Sequence, residues 1–170
     1  MAKNAPDTAD QRLRAEVQRA FEAAAGTRAP KVDAETISIV TACAGLIACV
    51  AYADRHLSEA ESRKAEQLLA AVEGIGPNGA RAIVAALAAH VVELSSVHAI
   101  HFARTLNDLA DRDLRLHIVS MLLELAAADD NLAQVEVNSL RQVTRALGLT
   151  QDDYNRLQAE HRQKLAALHR

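Results

Sequence analysis

Two stretches of the chain spell the same acidic pattern. "VAYADRHLSEAE" runs from Val50 to Glu61, and "LAAADDNLAQVE" runs from Leu125 to Glu136. Each carries small apolar residues into an Asp, then a Leu at the same offset, then a Glu. The first copy supplies Asp54, Leu57 and Glu61; the second supplies Asp129, Leu132 and Glu136, with further oxygens on Asp130 and Asn131. Carboxylates that converge repel one another, and a proton or a cation must relieve that repulsion. Hard oxygen donors favour calcium, magnesium or manganese over soft-metal chemistry. The candidate metal ligands are therefore Asp54, Glu61, Asp129 and Glu136, joined by Asp130 and Asn131. Neither stretch is an EF-hand loop, which needs oxygen ligands at alternate positions, a central Gly and a late Glu. Ala133 breaks the alternation and Glu136 comes too early.

A structural role competes with this one. "SEAE", Ser58 to Glu61, is a capping box in which Ser58 accepts from the Glu61 N–H and Glu61 reaches back to the Ser58 N–H. That accounts for the first copy. In the second, Ala133 stands at the cap position and cannot accept, yet Glu136 keeps its place. Capping alone does not explain both.

Other chemistry is weakly supported. His98 and His101 fall at i, i+3, but a zinc site needs further ligands, and no carboxylate stands at the spacing used by di-iron bundles. They read as solvent-facing or core residues. "GIGPNG", Gly74 to Gly79, is too short for a phosphate-binding loop and lacks its Lys-Ser/Thr. No nucleophile elbow is present, and no enzymatic activity is expected.

Helices must position these groups. Of 170 residues, half are hydrophobic and only 2% are aromatic, with 6 Gly and 3 Pro, a composition that suits helices and disfavours a β-sandwich. Spacing and turn signals predict helices over Ala9–Ala25, Thr36–Ala53, Ser58–Val72, Asn78–Val92, Ser95 or Ser96 to Asn107, Leu114–Ala128, Leu132–Leu147, and one capped by Thr150 that runs to about Leu168. Asp33 and either Asp111 or Asp113 are further N-caps, and Gly148 a stop. Residues 1–8 read as a tail, 9–32 as a helical arm and linker, and 33–170 as one domain.

Thr36 to Ala53 carries no charge, and that length raises the question of a membrane span. Its Thr36, Ser38, Thr41 and Gly45, and the lack of an aromatic or basic belt, favour a central helix buried by neighbours. No transmembrane segment is expected. The net charge of -3, with dispersed basic residues, indicates no nucleic-acid surface. Cys43 and Cys49 point to nearly opposite sides of one helix and do not pair within it. Reduced cysteines and no visible secretory signal suggest the cytoplasm.

The two acidic stretches sit in longer matching units. Aligning Glu61 with Glu136 sets Leu68 on Val143; after a one-residue slip, Gly74 falls on Gly148, Ile75 on Leu149 and Ile83 on Leu157. Each unit is a buried helix, an acidic turn, an amphipathic helix, a Gly-hydrophobic turn and a third helix, over about 36–92 and 114–168. A duplicated unit of this kind commonly packs on its twin about a pseudo-twofold axis. The two buried helices would then lie side by side, with both acidic turns approaching each other.

"YADRHLSEAE" and "AADDNLAQVE", with "ALGLTQDDY" beyond the second, resemble the TerB-like (tellurite-resistance) domain family over roughly Thr36 to Leu165. The family carries an Ala-Asp-Gly turn followed by a Leu and a Glu, twice, in an all-helical fold. The resemblance implies a bacterial response to tellurite and other stresses, relatives found beside DnaJ-type co-chaperone modules, and a metal site at the matching Asp54, Glu61, Asp129 and Glu136. The chain departs at the Gly, where Arg55 and Asp130 stand; Arg55 and His56 could neutralise the first turn without a metal.

The expectation is an all-α single domain of about eight helices with two pseudo-symmetric halves. Its expected function is that of a non-enzymatic TerB-like module, binding a divalent cation or an unidentified partner protein through its acidic turns. The alternative is a helical adaptor whose acidic turns are only caps. The sequence leaves the oligomeric state open, a dimer included.

Overall fold

The computed structural model describes residues 8–25, 32–51, 58–97, 99–128 and 134–168. Among the described residues there are eight helices and no strand: α1 (Ala9–Ala25), α2 (Ala34–Ala51), α3 (Glu59–Ala70), α4 (Gly76–Val97), α5 (Ala99–Leu109), α6 (Arg112–Ala126), α7 (Gln134–Ala146) and α8 (Gln151–Leu168). The expected all-α architecture is what the chain adopts.

Polar caps start these helices where the sequence places them. Asp33 accepts from the Thr36 N–H at 2.7 Å to open α2, and Asp111 accepts from the Leu114 N–H at 2.8 Å to open α6. Thr150 accepts from the Asp153 N–H at 3.1 Å to open α8. At the other end of α7, Gly148 takes a left-handed φ of 67°. The Leu149 N–H reaches back to the Thr144 carbonyl and the Gly148 N–H to that of Arg145, which satisfies carbonyls the helix leaves free.

α2 is apolar on every face and is the centre of the molecule. Among the described residues it is the one helix long and apolar enough to cross a membrane, with a mean hydropathy of 1.9. Here 67% of it is buried inside the bundle, against α1, α4, α5, α6 and α7. Gly45 lets the Phe102 ring of α5 lie directly on the α2 backbone: a Cβ there would sit 2.3 Å from the ring. The ring itself is 1% exposed.

The repeat has a structural counterpart. α2 touches α6 across the middle, α2 also touches α7, and α6 touches α3. That crosswise pattern is the one a twofold relation between α2–α4 and α6–α8 produces. Aligned positions are buried alike: Ala44 with Val119, Ile47 with Leu122, Val50 with Leu125, and Ala65 with Leu140. Beyond the slip, so are Ile75 with Leu149, Ala80 with Tyr154, and Ile83 with Leu157.

α1 packs on α4 and α2 with Leu13, Val17 and Phe21 buried, the three positions that mark its apolar stripe in the sequence. Its Ala20 and Phe21 lie over Gly79 and Gly74. Some helix limits differ from expectation. α4 continues through Ser95 and Ser96 to Val97, so those serines do not cap the next helix. Leu94 explains this: it is fully buried and anchors the extra turns in the core, and its carbonyl accepts from the Cys49 thiol at 3.5 Å. α6 stops at Ala126, two residues before the expected Ala128, while the expected end of α2 at Ala53 lies outside the described residues. The tail residues 1–7 and the linker residues 26–31 lie outside the described residues.

Candidate functional site

The start of α3 shows how one acidic turn is closed. Ser58 is the N-cap, in extended conformation with φ -67° and ψ 160°. Its hydroxyl accepts from the Glu61 N–H at 3.1 Å, and the Glu61 carboxylate accepts from the Ser58 N–H at 2.8 Å. The capping box read from "SEAE" is complete. Glu61 is only 3% exposed, and Glu136, its counterpart in the first turn of α7, is 4% exposed. Buried glutamate is rare unless it is compensated, and here it recurs at the aligned position of both units.

An ion pair fixes where the two units meet. Lys64 on α3 lies 3.0 Å from Glu124 on α6, each side chain about one-third exposed. Lys64 stands midway along α3 and Glu124 two residues before the end of α6, so the pair sets the middle of α3 beside the end of α6.

Of the six candidate ligands, Glu61 and Glu136 are described. Asp54, Asp129, Asp130 and Asn131 lie outside the described residues, as do Arg55, His56 and Ala133. Among the described residues no group of three or more His, Cys, Asp or Glu side chains is arranged to hold a metal ion. The donor chemistry at Glu61 and Glu136 suits a hard cation, since both offer carboxylate oxygens, and one Glu61 oxygen remains beyond the bond to the Ser58 N–H. These two alone do not complete a coordination shell.

Two further histidines are described on α4 and α5. His101 is exposed on α5, with its Nε2 3.7 Å from the Asp10 carboxylate of α1. His90 is half-buried on α4, and His98 lies outside the described residues. The thiols are quiescent: burial pushes both Cys43 and Cys49 up to about 12, so neither is a thiolate near neutral pH.

Sequence reasoning misses a polar clamp at the opposite end of α7. Asn107 of α5 donates to the Ala146 carbonyl at 2.6 Å, and Arg115 of α6 donates to the Leu147 carbonyl at 2.8 Å. Arg115 also donates to the Asn107 side-chain oxygen at 2.7 Å, so two side chains from two helices cap a third. No local pattern announces this, because the partners are far apart in sequence. Nearby, Asp153 is 7% exposed and sits 2.7 Å from Arg112, joining α8 to α6.

The family model described as tellurite resistance protein TerB matches residues 40–159, from within α2 to within α8. No curated protein and no solved structure matches the chain.

Proposed function

We propose, for a chain that belongs to the tellurite resistance protein TerB family, a non-enzymatic stress-response module that binds a divalent cation through its paired acidic turns and presents that end to a partner protein. The observation that carries this reading is the pair of buried glutamates, Glu61 and Glu136, one at the start of the second helix of each unit. In this reading Glu61, Glu136, Asp54 and Asp129 hold the ion, with Asp130 and Asn131 beside them. Calcium, magnesium or manganese would supply the positive charge that lets these carboxylates share one place. The Lys64–Glu124 pair supports the reading in that it ties α3 of one unit to the end of α6 in the other. Two free cysteines suit a reducing, cytoplasmic setting.

A second reading has its own observation. The Ser58–Glu61 box is complete without any ion, so the turns could serve only as caps of a helical adaptor. Titration calorimetry and thermal melting with calcium, magnesium and manganese separate the two. The cation reading expects saturable heat and a raised melting temperature with one of these ions, both lost in Asp129→Ala. No heat and no shift with any of them leaves the adaptor.

A further inference from the structure

α1, α2 and α5 enclose a cleft of about 130 Å³ whose lining carries two opposite charges that do not neutralise each other. Asp10 and Arg14 are one turn apart on α1, a spacing at which a carboxylate and a guanidinium ordinarily pair. Instead they turn to different neighbours. Arg14 donates to the Ser38 hydroxyl at 2.7 Å and to the Ala34 carbonyl at 3.5 Å, both on α2 and both neutral, and it meets no carboxylate among the described residues. Asp10 faces His101 on α5 at 3.7 Å, within ion-pair reach of a protonated imidazole but too far for a hydrogen bond, so its oxygens can still take a donor.

The hydroxyls of the lining point the same way. Ser38 donates to the Ala34 carbonyl, Thr41 to that of Ile37 and Thr105 to that of His101. With their protons committed to their own helices, they offer the cleft acceptor lone pairs, which suit the N–H groups of an ammonium. Arg14 uses two of its five donors, which leaves N–H groups for a carboxylate. Ala42 and Phe102 supply an apolar wall.

We propose that this cleft binds a small zwitterion, an α-amino acid the size of glycine, alanine or serine, with its carboxylate on Arg14 and its ammonium on Asp10 and the threonine oxygens. The size agrees: a cavity of about 150 Å³ takes a benzene-sized molecule, so this one takes roughly six heavy atoms. The site is separate from the acidic turns and independent of any cation there. Asp10 and Arg14, which supply both charges, and Ser38 lie outside the matched residues 40–159.

Titration calorimetry on the full chain tests it, with glycine, L-alanine and L-serine as probes across dissociation constants of about 1 μM to 10 mM, the range open to ligands of this size. The expected result is one-to-one binding of at least one probe. N-acetylglycine, which lacks the ammonium, and glycinamide, which lacks the carboxylate, each bind at least about tenfold more weakly, a difference that two lost charge-assisted bonds readily supply. Asp10→Asn and Arg14→Gln lose binding by a similar factor, while Arg14→Lys, which keeps the charge should the Gln variant fold poorly, retains part of it. Equal binding of N-acetylglycine and glycine would make the cleft a plain anion site and overturn the proposal, as would equal binding of glycinamide. No saturable heat from any of the three amino acids overturns it outright.

Discussion

The α2–α4 and α6–α8 halves follow the same path but are closed by different chemistry. In the first half, helices approach through small residues: the Phe102 ring lies on Gly45, and α1 covers α4 with Ala20 over Gly79. In the second half, Ser120 aligns with Gly45 and Asp153 with Gly79, and polar side chains join the helices at other places. Asp153 closes a box with Thr150 and reaches Arg112, and the Arg115–Asn107 clamp caps α7. Burial of the aligned apolar positions is nearly identical. One backbone arrangement thus tolerates either close apolar contact or a hydrogen-bonded network at its joints, provided each joint is internally complete.

Exchanging joints between the halves should break the molecule most severely. Gly45→Ser imports the second-half residue, but its Cβ would fall 2.3 Å from the Phe102 ring. Overpacking of a joint this tight costs about 3 kcal/mol, read from urea unfolding. A variant as stable as the parent would show that the ring yields freely and that the close approach is not a constraint.

The clamp of the second half comes next. Arg115→Ala leaves the Leu147 carbonyl and the Asn107 oxygen without their charged donor and should cost about 2 kcal/mol. Amide exchange should quicken at the end of α7 before it does in α2. Unchanged exchange there would mean that Gly148 and its backbone bonds hold the end unaided.

Smaller again is the cap of the first half. Ser58→Ala removes one bond of the capping box and should cost about 1 kcal/mol in the same unfolding measurement. If the adaptor reading holds, added calcium, magnesium or manganese leaves that loss unchanged. If the cation reading holds, the ion raises the stability of parent and variant alike by binding only the folded state, so the variant's own stability rises.

The last test concerns acid. The Thr150 N–H, then the Thr150 hydroxyl and Arg112, hold the Asp153 carboxyl below the usual carboxylate range. A group whose folded pKa is depressed stabilises above its unfolded pKa, and that stability is lost as pH falls through the folded value. The second half should therefore loosen below about pH 4, the ordinary range of a free Asp. Asp153→Asn should flatten the acid limb of a melting-temperature profile and change little at neutral pH beyond a uniform offset. An unaltered acid limb would assign the loss to other carboxylates, among them Asp33, which the Thr36 N–H lowers in the same way.

Several elements are legible in the order of residues alone. Leu13, Val17 and Phe21 announce the buried stripe of α1, and Asp33, Asp111 and Thr150 announce three helix starts. These signals are local, because a cap or a stripe is decided within a few residues. The end of α4 is not legible in this way. Ser95 and Ser96 read as a fresh start, and only the core pocket that receives Leu94 keeps the helix going. The Ser58–Glu61 box is legible, while the burial of Glu61 and Glu136 is not, since nothing local distinguishes a buried glutamate from an exposed one.

By itself the sequence determined the helical class, the duplicated pattern and most helix starts, and it carried the resemblance to the TerB family in its paired motifs. The helical class and the helix starts depend on periodicity, capping and spacing, which are properties of neighbouring residues. Only the tertiary structure decided which side chains meet across helices: Arg115 with Leu147, Lys64 with Glu124, and Asp10 and Arg14 turned to different partners around one cleft. Those meetings depend on how eight helices divide a limited volume, and close packing settles that for the whole chain at once rather than residue by residue.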